Sequence, residues 1–156
     1  MKIQFENECY KLYFPISKNI KIDNSFLWLL FEVNNSIITE KKIENITDNS
    51  FTIYVLLKHF FKEFGTKIKY MYFDVKHDFN NKKIHLQSKS PILENPNELL
   101  NLDIFIEYET TLEQHNLLVT IQNNDIPEDL GLENFISKII IKIFKNLKEY
   151  LERQIC

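Results

Sequence analysis

Leu132, Phe135, Ile136, Ile139, Ile140, Ile143, Leu147, Tyr150 and Leu151 recur at the spacing of a single helical face. The spacing predicts a long C-terminal helix over about 128–153, with an apolar stripe from Leu132 to Leu151. At about 1.5–3 kcal/mol for each fully buried aliphatic side chain, such a stripe cannot be left in water and demands a sheet or a second helix beneath it. Asp125-Ile126-Pro127 offers a capping side chain and a proline at a tolerated first-turn position, and Gly131 marks a kink or a late start.

A sheet to meet that stripe is announced upstream by a change of period. Apolar and polar residues alternate from Lys67 to His77 and from Lys83 to Ser88, which reads as a hairpin around Asn80-Asn81, residues that tolerate positive φ. Burial requires Met71, Phe73 and Val75 to share a face with Ile84 and Leu86, and this pairs Val75 with Leu86 and His77 with Ile84. Ile104, Ile106 and Tyr108 alternate with Asp103, Glu107 and Glu109. Leu117, Val119 and Ile121 alternate with Thr120 and Gln122 after a turn near Leu112-Glu113. Pro91 to Asn101 reads as a loop with one helical turn at Glu98-Leu99-Leu100. Cys9 to Phe14 reads as a strand ending at Pro15.

Phe26 to Val33 is a solid apolar run whose period does not decide between strand and helix, and the preceding Asp23-Asn24-Ser25 tilts the reading to a capped helix. The string Asp-Asn-Ser-Phe returns at Asp48-Asn49-Ser50-Phe51. There it precedes Ile53, Leu56, Leu57, Phe60, Phe61 and Phe64 at helical spacing, with Gly65 placed to end the turn. This predicts a shorter helix over about 50–64. The expected fold is α+β, one domain over residues 1–156. An antiparallel sheet of about four to six strands would be packed by the two helices.

Bulk composition supports one folded unit. A chain of 156 residues, 44% hydrophobic and 26% charged, is long enough to bury a core without disulfides or metals. It has no Ala, one Arg (Arg153) and Gly only at Gly65 and Gly131, while Ile, Asn, Lys, Phe and Tyr abound, the mark of an AT-rich genome rather than of a function. A formal net charge of −3 argues against nucleic-acid binding by bulk electrostatics. Cys9 and Cys156 stand outside any CxxC pair and are expected as free thiols. The N-terminus turns polar before an apolar run develops, and the run Phe26–Phe31 is too short to span a bilayer, so a cytoplasmic location is expected. The sequons at Asn34 and Asn45 are read as chance.

Chemistry is harder to find. Phosphate-cradling loops need clustered glycines, and two isolated ones exclude both the P-loop and the dinucleotide fingerprint. His77 and His85 flank a hairpin turn, but the register above points them to opposite faces, so no metal site and no cofactor is expected. Cys9 has no nucleophile signature around it. Asp103, Glu107 and Glu109 share a strand face and form the best acidic cluster, the one an acid–base enzyme would use. Lys138, Lys142, Lys145 and Lys148 form a basic stripe on the outer side of the last helix, diluted by Glu133, Glu149 and Glu152, and read as a solvated face rather than a membrane surface. Ile68, Tyr70 and Tyr72 lie opposite Met71, Phe73 and Val75, so this strand is either covered on both sides or presents a face to a partner or ligand.

The order of strand, helices, antiparallel hairpins and long C-terminal helix resembles the helix-grip architecture of START-like lipid and hydrophobic-ligand binders. The resemblance rests on element order and implies a hydrophobic ligand held in a pocket of several hundred Å3, roughly the size of an ordinary small-molecule site, between the sheet and the helix Leu132–Leu151. The residues themselves favour a non-enzymatic interaction module (adaptor, small chaperone, inhibitor or immunity-type protein) whose aromatic sheet face meets another protein or a second copy of the chain. Ligand binding in the helix-grip manner is the alternative.

Overall fold

In a computed structural model of the chain, residues 2–6, 9–16, 24–58, 68–78, 80–110, 115–123 and 130–153 are described. Their order is β1 (Lys2–Glu6), β2 (Cys9–Ile16), α1 (Asn24–Glu32), β3 (Ile38–Glu44), β4 (Ser50–Leu57), β5 (Lys69–Asp78), β6 (Lys83–Ser88), β7 (Glu98–Leu99), β8 (Leu102–Thr110), β9 (His115–Asn123) and α2 (Leu130–Arg153). The strands make a nine-stranded sheet in the order β1-β2-β9-β8-β6-β5-β4-β3, antiparallel throughout this path, with β7 pairing parallel to β5. The fold is α+β with a large antiparallel sheet and a long C-terminal helix packed on it, as expected from the sequence.

Three expectations need correction. Residues 50–57 are not the start of a helix but the strand β4, inserted between β3 and β5. Ile53, Leu56 and Leu57 fit a helical face by coincidence. Phe51, Ile53, Val55 and Leu57 turn to the core while Tyr54 and Leu56 are half-buried on the other side, so a strand flanked by two others shows no clean period. Its β-branched and aromatic residues suit a pleated surface. Asp48-Asn49-Ser50 accordingly caps no helix. It belongs to a tight β3–β4 turn in which Thr47 and Ser50 bond each other through backbone and hydroxyl, and Asn45 takes a left-handed φ of 54°. Phe60, Phe61, Phe64 and Gly65 lie outside the described residues. The second correction is Glu98-Leu99, which continues the edge of β5 beyond the end of β6 instead of making a helical turn. The third is the strand count, nine rather than four to six.

Phe26 to Val33 resolves as a helix for a topological reason. β2 sits near one border of the sheet and β3 forms the other, so the connection between them must traverse the sheet. α1 lies in that connection and buries Phe26, Leu27, Leu30 and Phe31. The β5–β6 pairing sets Val75 against Leu86 and His77 against Ile84, the register that burial demands. From α2, Ile139, Ile140, Ile143, Phe144, Leu147 and Leu151 enter the same core. The side chains of Leu132, Phe135 and Ile136, the segment Asp125-Ile126-Pro127 and the turn at Leu112-Glu113 lie outside the described residues.

Candidate functional site

The face of the sheet turned toward α1 and α2 is apolar from β2 to β4. Across it run Leu12, Val119, Ile106, Ile84 and, one row along, Ile121, Ile104, Leu86, Val75 and Phe51, all buried. α2 comes closest to β2 and α1. Its polar anchor is Asn34, in the turn after α1, which is 0% exposed. Asn34 Nδ2 donates to the carbonyls of Leu30 (2.6 Å) and Ile143 (3.1 Å), and Asn34 Oδ1 accepts from Asn146 Nδ2 (2.9 Å). The chance sequon at Asn34 is therefore a helix–helix clamp, and nothing in its local sequence marks it as one.

Polar groups interrupt the inner face at few places. Tyr108 and His115 stack 5.9 Å apart near the β8–β9 turn, with Tyr108 Oη and His115 Nδ1 2.8 Å apart and the Lys82 ammonium 5.3 Å from the Tyr108 ring centre. His77 lies buried beside Phe51. The hydroxyl of Ser88, which stands opposite Phe73, and the indole N–H of Trp28, a residue packed against the core, are both buried with no hydrogen-bond partner among the described residues.

On the outer face Tyr54, Tyr70 and Tyr72 cluster, with Tyr54 5.4 Å from Tyr70 and 6.5 Å from Tyr72 between ring centres. Tyr70 is 1% exposed, because the chain's own segment 89–97 lies over it. The Ile92 N–H donates to Tyr70 Oη (3.0 Å) and Asn95 Nδ2 donates to Tyr54 Oη (3.1 Å). Tyr72 and Ile68 are half-buried. Tyr54, hidden in a strand misread as helix, is the aromatic that the sequence reading missed.

The charged groups singled out from the sequence do not converge. Asp103, Glu107 and Glu109 occupy one face of β8 with Phe105 between them. Asp103 accepts the Ser88 N–H (3.0 Å), Glu107 pairs with Lys83 (3.3 Å), and Glu109 is exposed. Lys138, Lys142 and Lys145 are exposed on α2, and Lys148 pairs with Glu152 one turn on (3.0 Å). His77 and His85 stand on opposite faces, and His85 stacks on Phe105 at 4.3 Å. Among the described residues no group of three or more His, Cys, Asp or Glu is arranged to hold a metal ion, and no helix is long and apolar enough to cross a membrane.

Three cavities are described. One of about 440 Å3 lies between α1 and the end of α2, beside Leu29, Tyr150 and Arg153. One of about 250 Å3 lies at the β5–β6 turn, beside His85 and Phe105. The third, about 460 Å3, lies on the outer face beside Tyr54 and Tyr72. None of the three is bounded by both the sheet's inner face and α2, where the helix-grip resemblance places its pocket.

No protein-family model matches the sequence, and no curated protein matches it. Solved structures match in fold. A STAR-related lipid transfer protein fragment from Xanthomonas axonopodis superposes with a TM-score of 0.66 at 8% identity, over 92% of this chain and 85% of that one. Human StAR-related lipid transfer protein 5 does so at 0.60 and 11% identity, over 97% and 80%. The Zhui aromatase/cyclase of a Streptomyces species does so at 0.59 and 10% identity, over 95% and 96%. Identities this low carry the fold alone, an antiparallel sheet gripped by its C-terminal helix.

Proposed function

We propose, from this helix-grip fold, that the chain binds an apolar small molecule or lipid between the inner face of its sheet and α2. The observation that carries the reading is the inner wall, predominantly apolar from β2 to β4 and covered, among the described residues, by α1 and the long α2. Two structural neighbours are named for lipid transfer, which supports the same ligand class here. The Ser88 hydroxyl and Trp28 N–H, both without a partner among the described residues, add a preference. A buried polar group without a partner costs about 1–3 kcal/mol, so a ligand carrying a hydroxyl or carbonyl gains where a pure hydrocarbon does not. Entry requires the side chains between α2 and the sheet to part, since the described cavities lie elsewhere.

Titration with fluorescent fatty-acid and sterol analogues tests this. Saturable binding with one molecule per chain is expected. Val119→Trp, in the inner wall, should weaken it by about tenfold or more in the folded variant by adding bulk where the ligand would lodge, while Thr120→Trp on the opposite face should leave it unchanged. No saturable binding, or equal effects of the two substitutions, would contradict the reading.

A second reading, a protein-interaction module, is favoured by the exposed rings of Tyr13 and Phe105 on the outer face. A homodimer weakened by Phe105→Ser in analytical ultracentrifugation supports it, and a strict monomer removes its self-associating form.

A further inference from the structure

The outer-face cavity carries an inference independent of the apolar site, from which the thickness of the sheet separates it. Tyr54 and Tyr72 are paired across β4 and β5 and meet edge to face at 69°, forming a corner of two aromatic walls. Ile92 and Asn95 complete its lining. The rim comes from the edge strand β3, whose outward positions are Glu40, Lys42 and Glu44. The Lys42 ammonium lies 3.0 Å from Glu44 and is also attracted by Glu40, so two carboxylates share one ammonium and the rim keeps a net negative charge. The corner is pre-organised, because the phenol hydroxyl of Tyr54 accepts from Asn95 and that of the neighbouring Tyr70 accepts from the Ile92 N–H.

The chain already uses this chemistry on itself. Lys89 Nζ stands 5.1 Å from the Tyr72 ring centre and 3.4 Å from Asp74 Oδ1, a cation held between an aromatic face and a carboxylate. Asp74 is held in turn by the Thr52 hydroxyl, 3.0 Å away. Tyr54 and Glu40 both line a cavity of about 460 Å3 and bring an aromatic ring and a carboxylate to one external ligand, in a volume within the roughly 300–1,000 Å3 of small-molecule sites. We propose that this outer cavity binds a small organic ammonium ion, its cationic end held against the corner of the Tyr54 and Tyr72 rings by the Glu40 carboxylate and its apolar end beside Ile92. An anion is disfavoured by a rim of two carboxylates to one ammonium, and a bare metal ion by the lack of a converging set of oxygen donors among the described residues.

An amide chemical-shift titration with choline tests the assignment, with dimethylbutanol as its uncharged carbon isostere. Saturable shifts centred on Tyr54, Tyr72 and Ile92 are expected, with the isostere bound about tenfold more weakly. Glu40→Gln, an exposed edge-strand change that spares the core, should weaken choline about threefold to tenfold. Tyr72→Leu should weaken it further, and Val119→Trp on the other face should not affect it. Phosphocholine binding alongside choline, with the same dependence on Glu40, assigns the cation to a choline-type headgroup. Choline binding without phosphocholine assigns it to a free amine. Equal affinity for choline and its isostere, shifts located elsewhere, an unchanged affinity in Glu40→Gln, or no binding each overturns the proposal.

Discussion

At the scale of single residues, Asn34 shows how a polar group earns a place in an apolar interior. Its amide nitrogen donates to two carbonyls and its amide oxygen accepts from Asn146, so both polar atoms of the buried Asn34 side chain are paired. Asn34→Ala removes all three bonds at a buried site, and a loss of about 2 kcal/mol is expected, measured as a lower urea midpoint. A milder test lies at Asp78. The Asn81 side chain, and then its backbone N–H, bond the Asp78 carboxylate and hold its pKa below the ordinary value. A depressed folded-state pKa means the carboxylate favours the β5–β6 turn above its unfolded pKa and loses that effect as pH falls through the folded one. A carboxyl NMR titration should give a midpoint below that of a free Asp, and a midpoint at or above it would contradict the turn geometry. Neither residue stood out in the sequence. Asn is abundant, and only the fold brings residues 34 and 146 together.

At the scale of elements, legibility followed solvent exposure. The register of the β5–β6 hairpin was readable because polarity alternates toward its turn, although β5 runs from Lys69 to Asp78 rather than from Lys67 to His77. α2 was readable for the same reason, yet its stripe omitted Phe144, which is 1% exposed. Phe144→Ala is expected to cost about 3–5 kcal/mol, the range for a large aromatic lost from a packed core, and chemical denaturation measures it. β4 was not readable, because covered strands lose their period. The edge strand β3 was missed for the opposite reason. Thr39-Glu40-Lys41-Lys42 looks like a polar loop, although charged residues are what keeps an open sheet edge from pairing with other chains. Lys41 also pairs with Glu32 of α1, tying the edge to the helix, and partial burial lowers its pKa.

At the scale of the molecule, element order indicated the architecture while the sites depended on contacts between distant segments. The long-range pairing of β2 with β9 and the traverse of α1 beneath the sheet place one apolar wall opposite one helix. The segment 89–97 folds back over Tyr70 and adds Ile92 and Asn95 to the lining of an open cavity on the aromatic face. Sequence periodicity has no access to either event. Binding of a ligand at the apolar wall is open to native mass spectrometry of the gently purified chain, before and after incubation with a lipid extract. The expected spectrum carries the mass of one additional apolar molecule per chain, removed by organic extraction and missing from folded Val119→Trp. A spectrum of the bare chain under every condition, identical for wild type and Val119→Trp, would contradict it.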